Sequence, residues 1–165
     1  MAEVASLTFM NLKSGFTKLE SSLAATGVFL FPLVLLVMRL FWGWQFFQTG
    51  KGKLMNLDRT AGFFASIDIP WPKLNAVLAG VTEAGGGLLL MLGLAARVVS
   101  VPLILVMVVA YVTADREALQ AIVSDPDNFT SAAPFLFLLT CVLVLTAGPG
   151  RFSLDAWLKR PGAAK

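Results

Sequence analysis

The sequence contains no histidine and a single cysteine, Cys141. Histidine is the usual protein ligand of haem and the commonest metal ligand, so we expect neither a haem nor a metal site here. One cysteine can form neither an internal disulfide nor a Cys-x-x-Cys redox pair. Any redox role therefore requires a bound molecule or a partner, and we interpret Cys141 as a small core residue.

Charge is also scarce. Charged residues make up 14% of the chain, apolar residues 57%, and the mean hydropathy is +0.78. A soluble domain carries roughly 25% charged residues, so this composition indicates a surface that faces lipid. The net charge of +3 does not point to nucleic acid, because the basic residues lie in loops and tails beside apolar runs, where they would contact lipid headgroups.

Four apolar stretches lie at about residues 27–47, 74–94, 98–114 and 132–147. A bilayer crossing needs about 20 residues, and shorter stretches are tolerated when the tilt is small. Lipid offers no hydrogen-bond partner to a free backbone group, so each crossing must be helical. The pattern predicts an all-α polytopic membrane protein, a four-transmembrane-helix bundle over residues 27–147.

The two ends of the chain predict surface segments. Residues 1–26 have the pattern of an amphipathic interfacial helix, with polar residues between apolar ones at helical spacing: Phe9, Leu12, Phe16, Leu19 and Leu23. A cleavable signal peptide is the alternative, but no small-residue cleavage site follows the apolar run. Residues 148–165 predict an interfacial tail in which Ser153 caps a short helix.

The connections and their charges predict the orientation. Residues 48–73 read as a long polar loop, 95–97 as a tight turn and 115–131 as an acidic loop. Four crossings place both termini on one side, and more basic residues lie on that side than on the other. The comparison is between Lys13, Lys18, Arg97, Arg151, Lys159, Arg160 and Lys165 on one side and Lys51, Lys53, Arg59, Lys73 and Arg116 on the other. Cytoplasmic termini are therefore predicted.

Arg39 and Glu83 are charged residues inside the predicted crossings. Each costs about 2.5–3.5 kcal/mol at a helix centre on the insertion scale. Counted from the shared loop, they lie at roughly 12 and 13.5 Å depth, using 1.5 Å per residue. Consecutive antiparallel helices usually touch, so we predict an ion pair between them. It would serve either as a structural clasp or as part of a functional site.

The neighbours of these two residues favour a close approach. Small residues surround Glu83, while Trp42 and Gly43 lie one turn after Arg39, with Trp44 and Gln45 alongside. Arginine, glutamate, indole N–H and amide groups in an apolar wall suit a lipophilic molecule with carbonyl groups. Alternatively, Trp42 and Trp44 belong to the interfacial aromatic belt.

Several motifs resemble the DoxX family of bacterial membrane proteins. They are Arg39-x3-Gly43-x6-Gly50-x2-Lys53-Leu54, Ile69-Pro70-Trp71-Pro72, Gly80-x2-Glu83-x2-Gly86-Gly87-x2-Leu90-x2-Gly93-Leu94-x2-Arg97 and Gly148-Pro149-Gly150-Arg151-Phe152-Ser153-Leu154-Asp155. They occur in the family's order over roughly residues 28–158, and the first 26 residues are not covered.

The resemblance implies a four-helix bundle in the bacterial plasma (inner) membrane. Members resemble the DoxD subunit of thiosulfate:quinone oxidoreductase, which implies a role beside the quinone pool. The resemblance leaves the electron donor and any catalytic role unassigned. Four of its matching positions are expected to contact a partner or lipid headgroups: Lys53, Arg97, Arg151 and Asp155.

Three functions are compatible with these observations. The leading hypothesis is a redox-associated membrane subunit that holds a quinone, its one expected cofactor, between the first two spans through Arg39, Trp42, Gln45 and Glu83. The alternative is a non-catalytic accessory subunit of a larger respiratory or photosynthetic complex. A small-solute or lipid transporter ranks last. The partners expected are membrane lipids and other membrane subunits or further copies of the chain.

Overall fold

A computed structural model of the protein describes residues 2–159, with backbone alone at positions 2–12 and 14. Within this range every element is a helix, as predicted. The eight helices are α1 (Ala2–Met55), α2 (Leu57–Ser66), α3 (Pro72–Leu92), α4 (Ala96–Thr113), α5 (Arg116–Gln120), α6 (Pro126–Ser131), α7 (Pro134–Ala147) and α8 (Leu154–Leu158).

Helix α1 differs from the prediction at its C-terminal end. The predicted end at residue 47 and the polar loop over residues 48–73 are wrong, because α1 continues to Met55 and α2 begins at Leu57. The polar residues after position 47 stay helical because Gly50 packs against α3 and Lys53 pairs with Glu83. Low hydropathy marked the end of the apolar run, not the end of the helix.

The N-terminal part of α1 passes through the predicted boundary at residues 26–27 without a break. The side chains of Phe9 and Leu12 lie outside the described part of the chain, while Phe16, Leu19 and Leu23 are exposed. The amphipathic surface helix over residues 1–26 stays a prediction. The chain divides into two compact units, Met1–Val34 and Leu35–Lys165, and the sites described below belong to the second.

Three described helical segments are long and apolar enough to cross a membrane. They are Gly15–Met55, Pro72–Leu92 and Ala96–Thr113. Helix α7 is also apolar but has only 14 residues, or about 21 Å at 1.5 Å per residue. The helical, multi-pass character of the chain is therefore clear, while a fourth crossing stays a prediction.

The core of the second unit forms where α4 packs against α3 and α7. Its buried members come from α1, α3, α4 and α7: Phe46, Leu90, Ala96, Leu103, Met107, Cys141 and Val144. Phe137 on α7 adds an edge-to-face contact with Phe46, with ring centroids 4.5 Å apart. Cys141 is fully buried in this cluster, which confirms its interpretation as a core residue.

Glycines set the distance and the register between α1 and α3. A Cβ on Gly43 would lie 2.8 Å from the carbonyl oxygen of Gly87, and one on Gly50 would lie 2.6 Å from that of Gly80. The backbones therefore touch, as small residues allow in membrane helix pairs. In this antiparallel register Arg39 lies opposite Gly93, at the C-terminal end of α3.

Candidate functional site

Glu83 on α3 forms an ion pair with Lys53 on α1, through its Oε2 and the lysine Nζ. Both helices present these residues on the faces that hold their interface glycines, Gly50 and Gly80. The Glu83 side chain is 2% exposed, while that of Lys53 is 28% exposed. The buried carboxylate thus has a cationic partner that reaches toward the surface, which offsets the cost of burying its charge.

The pair lies in the wall of a cavity of about 460 Å³. The cavity is bordered by residues of α1, α2, α3, α4 and α7 and is lined mainly by apolar side chains, among them Phe63, Phe64, Met107 and Phe137. The polar groups of the wall are few: Thr49, Lys53, Asn75, Thr82, Glu83, Thr113 and Asp115. Predominantly apolar walls with a few placed polar groups are typical of small-molecule sites of this size.

One of the four predicted ligand-binding residues, Glu83, lines this cavity. Trp42 lies behind its wall and packs edge-to-face on the lining residue Phe137, with ring centroids 4.9 Å apart. Gln45 is half-buried on α1 and does not line the cavity, and neither does Arg39. Trp44 is about half exposed and stacks at a tilt on Phe47.

The predicted ion pair between Arg39 and Glu83 is wrong. Glu83 pairs with Lys53, and Arg39 lies opposite Gly93, ten residues further along α3. At 1.5 Å per residue this separates the two positions by roughly 15 Å along the helix axis. The depth count placed them together because it ended α1 at residue 47, about two turns before its end at Met55.

Arg39 instead fixes the C-terminal tail. Its guanidinium is fully buried, and Nη2 donates a hydrogen bond of 2.6 Å to the carbonyl oxygen of Phe152. Among the described residues, Nε and Nη1 have no hydrogen-bond partner. The charge of Asp155 and the negative end of the α3 dipole offset part of the cost of burying it. Glycine is favoured at position 93, since its φ is +66° and a Cβ would overlap Nη1 of Arg39.

Asp155 joins the same tail to the turn between α3 and α4. Its carboxylate accepts hydrogen bonds from the backbone N–H groups of Ala95 (2.8 Å) and Ala96 (3.0 Å). Its own N–H donates to the carbonyl oxygen of Gly93 at 3.0 Å. A carboxylate at a helix N-terminus satisfies free N–H groups and complements the dipole. Asp155 lies in the first turn of α8. Ser153 caps this helix as predicted, because the Ser153 hydroxyl accepts a hydrogen bond from the N–H of Ala156 at 3.2 Å.

The other residues predicted to contact a partner or lipid have varied surroundings. Arg97 is exposed and donates to the carbonyl oxygen of Thr146, in the last turn of α7, at 3.2 Å. Arg151, in the tail, is exposed. Lys53 and Asp155, in contrast, make the internal contacts described above.

Sequence reasoning missed Lys53 as the partner of Glu83. The signal was available, because Arg39, Phe46 and Lys53 follow one another at steps of seven, which keeps them on one helix face.

Comparison with known proteins places these features in a family. The chain matches the DoxX family over residues 34–116, a range that contains both α1–α3 glycine contacts and the Lys53–Glu83 pair. It is 35% identical over 145 residues to Rv3486 of Mycobacterium tuberculosis, described as an uncharacterized membrane protein, covering 81% of this chain and 86% of the relative.

A second relative is CatD of Bacillus subtilis, whose name assigns it provisionally to the oxidoreductases. It is 29% identical over 128 residues, covering 78% of this chain and 89% of CatD. No solved structure matches the chain. The matched residues and the relatives together show that this protein is a membrane protein of the DoxX family.

Proposed function

We propose that this protein is a four-span subunit of the bacterial plasma membrane, with cytoplasmic termini, that binds a lipophilic carbonyl compound of the quinone class. The ligand would lie in the cavity beside Lys53 and Glu83. The observation that carries the proposal is the ion pair set into the wall of an otherwise apolar cavity of about 460 Å³. This location replaces the one expected around Arg39.

The chemistry of the wall suits a flat ring with carbonyl groups at its edge. The ammonium of Lys53 is a hydrogen-bond donor for a carbonyl oxygen, and the hydroxyl of Thr82 is a further donor in the same wall. The carboxylate of Glu83 would accept from a hydroxyl group, the form that a carbonyl takes after reduction. Phe63 and Phe137 supply the apolar surface for the ring.

The rim of the cavity favours entry from lipid. Leu78, Leu105 and Val109 line the cavity and are also 53%, 60% and 48% exposed. They belong to α3 and α4, both of which are long and apolar enough to cross a membrane. An apolar tail attached to the ligand ring would therefore leave the cavity into the bilayer beside these residues. The name of CatD adds support for redox chemistry in the family.

Equilibrium binding of decylubiquinone to the purified protein tests the proposal. The variant carries Lys53→Met together with Glu83→Gln, so that neither charge is left buried without its partner. Loss of a hydrogen bond from a charged donor costs about 1.5–3 kcal/mol, so we expect binding weaker by about 10- to 150-fold. The control carries Lys73→Met with Asp58→Asn, which removes an exposed ion pair of 3.2 Å outside the cavity wall.

The control variant should bind decylubiquinone like the wild type. If the Lys53→Met/Glu83→Gln variant also does so while remaining folded, the quinone proposal is overturned. The pair would then be a structural clasp between α1 and α3, the role expected in a non-catalytic accessory subunit.

A further inference from the structure

A second depression lies directly beside the cavity, between the end of α1 and the start of α2. Its volume is about 420 Å³, and it is lined by Thr49, Gly52, Lys53, Asn56, Arg59, Thr60, Phe63 and Phe64. We call it the α1–α2 groove. It lies at the C-terminal end of the candidate crossing Gly15–Met55, and the end of a crossing is where the interfacial headgroup region of a bilayer begins.

The groove is basic. Lys53 and Arg59 line it, and no acidic residue does. The one acidic residue of α2, Asp58, forms an ion pair of 3.2 Å with Lys73 and leaves Arg59 uncompensated. Arg59 has no ion-pair partner among the residues whose side chains the structure describes, 13 and 15–159. A guanidinium with an ammonium nearby is the arrangement that recognises phosphate, because both donate charge-assisted hydrogen bonds.

The groove and the cavity are continuous. Four residues line both: Thr49, Lys53, Phe63 and Phe64. Lys53 stands at the boundary, with its ammonium on Glu83 at the cavity side and its side chain 28% exposed. Phe63 forms the apolar part of the same boundary and is half exposed. A molecule with a polar head and an apolar chain could therefore place its head in the groove and its chain in the cavity.

We propose that the α1–α2 groove binds the phosphate head of an amphiphile whose apolar chain enters the cavity. Arg59 is the principal phosphate ligand, and Lys53 contributes at the boundary. The inference goes beyond the quinone proposal, because it assigns a second ligand class and an anionic subsite outside the cavity. The two ligand classes would compete for the same apolar space.

Binding of dodecyl phosphate to the purified protein in a neutral detergent tests this inference. Dodecanol, which has the same chain without the phosphate, and inorganic phosphate, which has no chain, are the matched probes. We expect dodecyl phosphate to bind at least tenfold more tightly than either probe. Arg59→Gln should weaken dodecyl phosphate about tenfold and leave dodecanol unchanged, because only a charge-assisted contact is removed. Arg116→Gln, the same charge change at an exposed position away from the groove, should change neither.

Filling the cavity tests the apolar part of the site. Ala79→Phe and, at a separate position, Ala110→Phe place a ring into the cavity from α3 and α4. Either variant, if folded, should weaken dodecyl phosphate and dodecanol together and leave inorganic phosphate unaffected. Wild-type affinity of Arg59→Gln for dodecyl phosphate would overturn the inference. So would equal binding of dodecyl phosphate and inorganic phosphate, which would mean that a free phosphate is the ligand.

The amphiphile site and the quinone proposal can each fail without the other. If decylubiquinone fails to bind while dodecyl phosphate binds and depends on Arg59, the quinone proposal falls and the amphiphile site stands. If decylubiquinone binds and depends on Lys53 and Glu83, but Arg59→Gln has no effect on dodecyl phosphate, the reverse holds. Displacement of one ligand by the other would support a shared cavity.

Discussion

The contact between α1 and α3 predicts opposite effects for two glycine substitutions only two residues apart. Gly50 faces α3, where a Cβ would lie 2.6 Å from the carbonyl oxygen of Gly80 and closer still to the backbone nitrogen of Ala84. Gly52 lies on the same helix, and a Cβ there would meet no atom within 4 Å. Gly50→Ala and Gly52→Ala are therefore chemically identical changes in different surroundings.

The size of each stability change follows from the atoms that surround the added Cβ. Replacing glycine by alanine within an exposed helix gains about 1 kcal/mol of stability, so Gly52→Ala should stabilise the protein by up to that amount. Overpacking costs about 1–3 kcal/mol. Gly50→Ala falls at the upper end of that range, because the atoms it meets are backbone atoms of α3 that cannot rotate away. After the helix-propensity gain, a net loss of about 2 kcal/mol is expected.

Thermal unfolding in detergent, followed by circular dichroism, measures both effects. For a chain of this size 1 kcal/mol corresponds to about 2–4 °C in Tm. We expect a rise of about 2–4 °C for Gly52→Ala and a fall of about 4–8 °C for Gly50→Ala. Equal shifts for the two variants would refute the backbone contact between α1 and α3, and with it the register that places Lys53 on Glu83.

Two further predictions concern the charged residues. Asp155→Asn leaves one acceptor oxygen for the two N–H groups at the start of α4 and removes the negative charge, so it should destabilise the protein by about 1–2 kcal/mol; a Tm within 1 °C of wild type would contradict this. A double-mutant cycle between Lys53→Met and Glu83→Gln should give a coupling energy of about 0.5–3 kcal/mol from thermal unfolding. The same cycle between Arg39→Met and Glu83→Gln should be additive within about 0.5 kcal/mol, and strong coupling there would restore the pairing expected from the sequence.

The sequence predicted the helices from features that act locally. Each apolar run over residues 74–94, 98–114 and 132–147 overlaps a helix of the structure to within two residues at either end, because lipid-facing composition and backbone hydrogen bonding do not depend on distant residues. The Ser153 cap was likewise predictable, since a hydroxyl at a helix start bonds to a nearby N–H group. The burial of Arg39 and Glu83 in the structure also agrees with their position inside apolar stretches.

The partners of those two residues could not be predicted in the same way. The register between α1 and α3 depends on where α1 ends, and composition misplaced that end by two helical turns. The glycines carried the missing information: Gly43 and Gly50 on α1 match Gly87 and Gly80 on α3, and only this register brings all four together. A hydropathy value does not record that a glycine allows two helix backbones to touch. The membrane depths counted from the ends of the apolar runs therefore placed Arg39 beside the wrong residue.

Arg39 and Glu83 lie in different surroundings, which fit a structural role for Arg39 and the proposed ligand-binding role for Glu83. Arg39 is fully buried and donates a hydrogen bond to the backbone of Phe152. Its guanidinium lies next to the C-terminal end of α3, so its surroundings are those of a residue that fixes the tail. Glu83 is equally buried but borders a cavity, and its partner Lys53 is still accessible from the α1–α2 groove. A group that must meet a ligand needs free space on one side, and of the two buried charges only Glu83 has it. The DoxX motif positions therefore contain two separate charge sites: Arg39, which contacts the tail, and the Lys53–Glu83 pair, which borders the cavity.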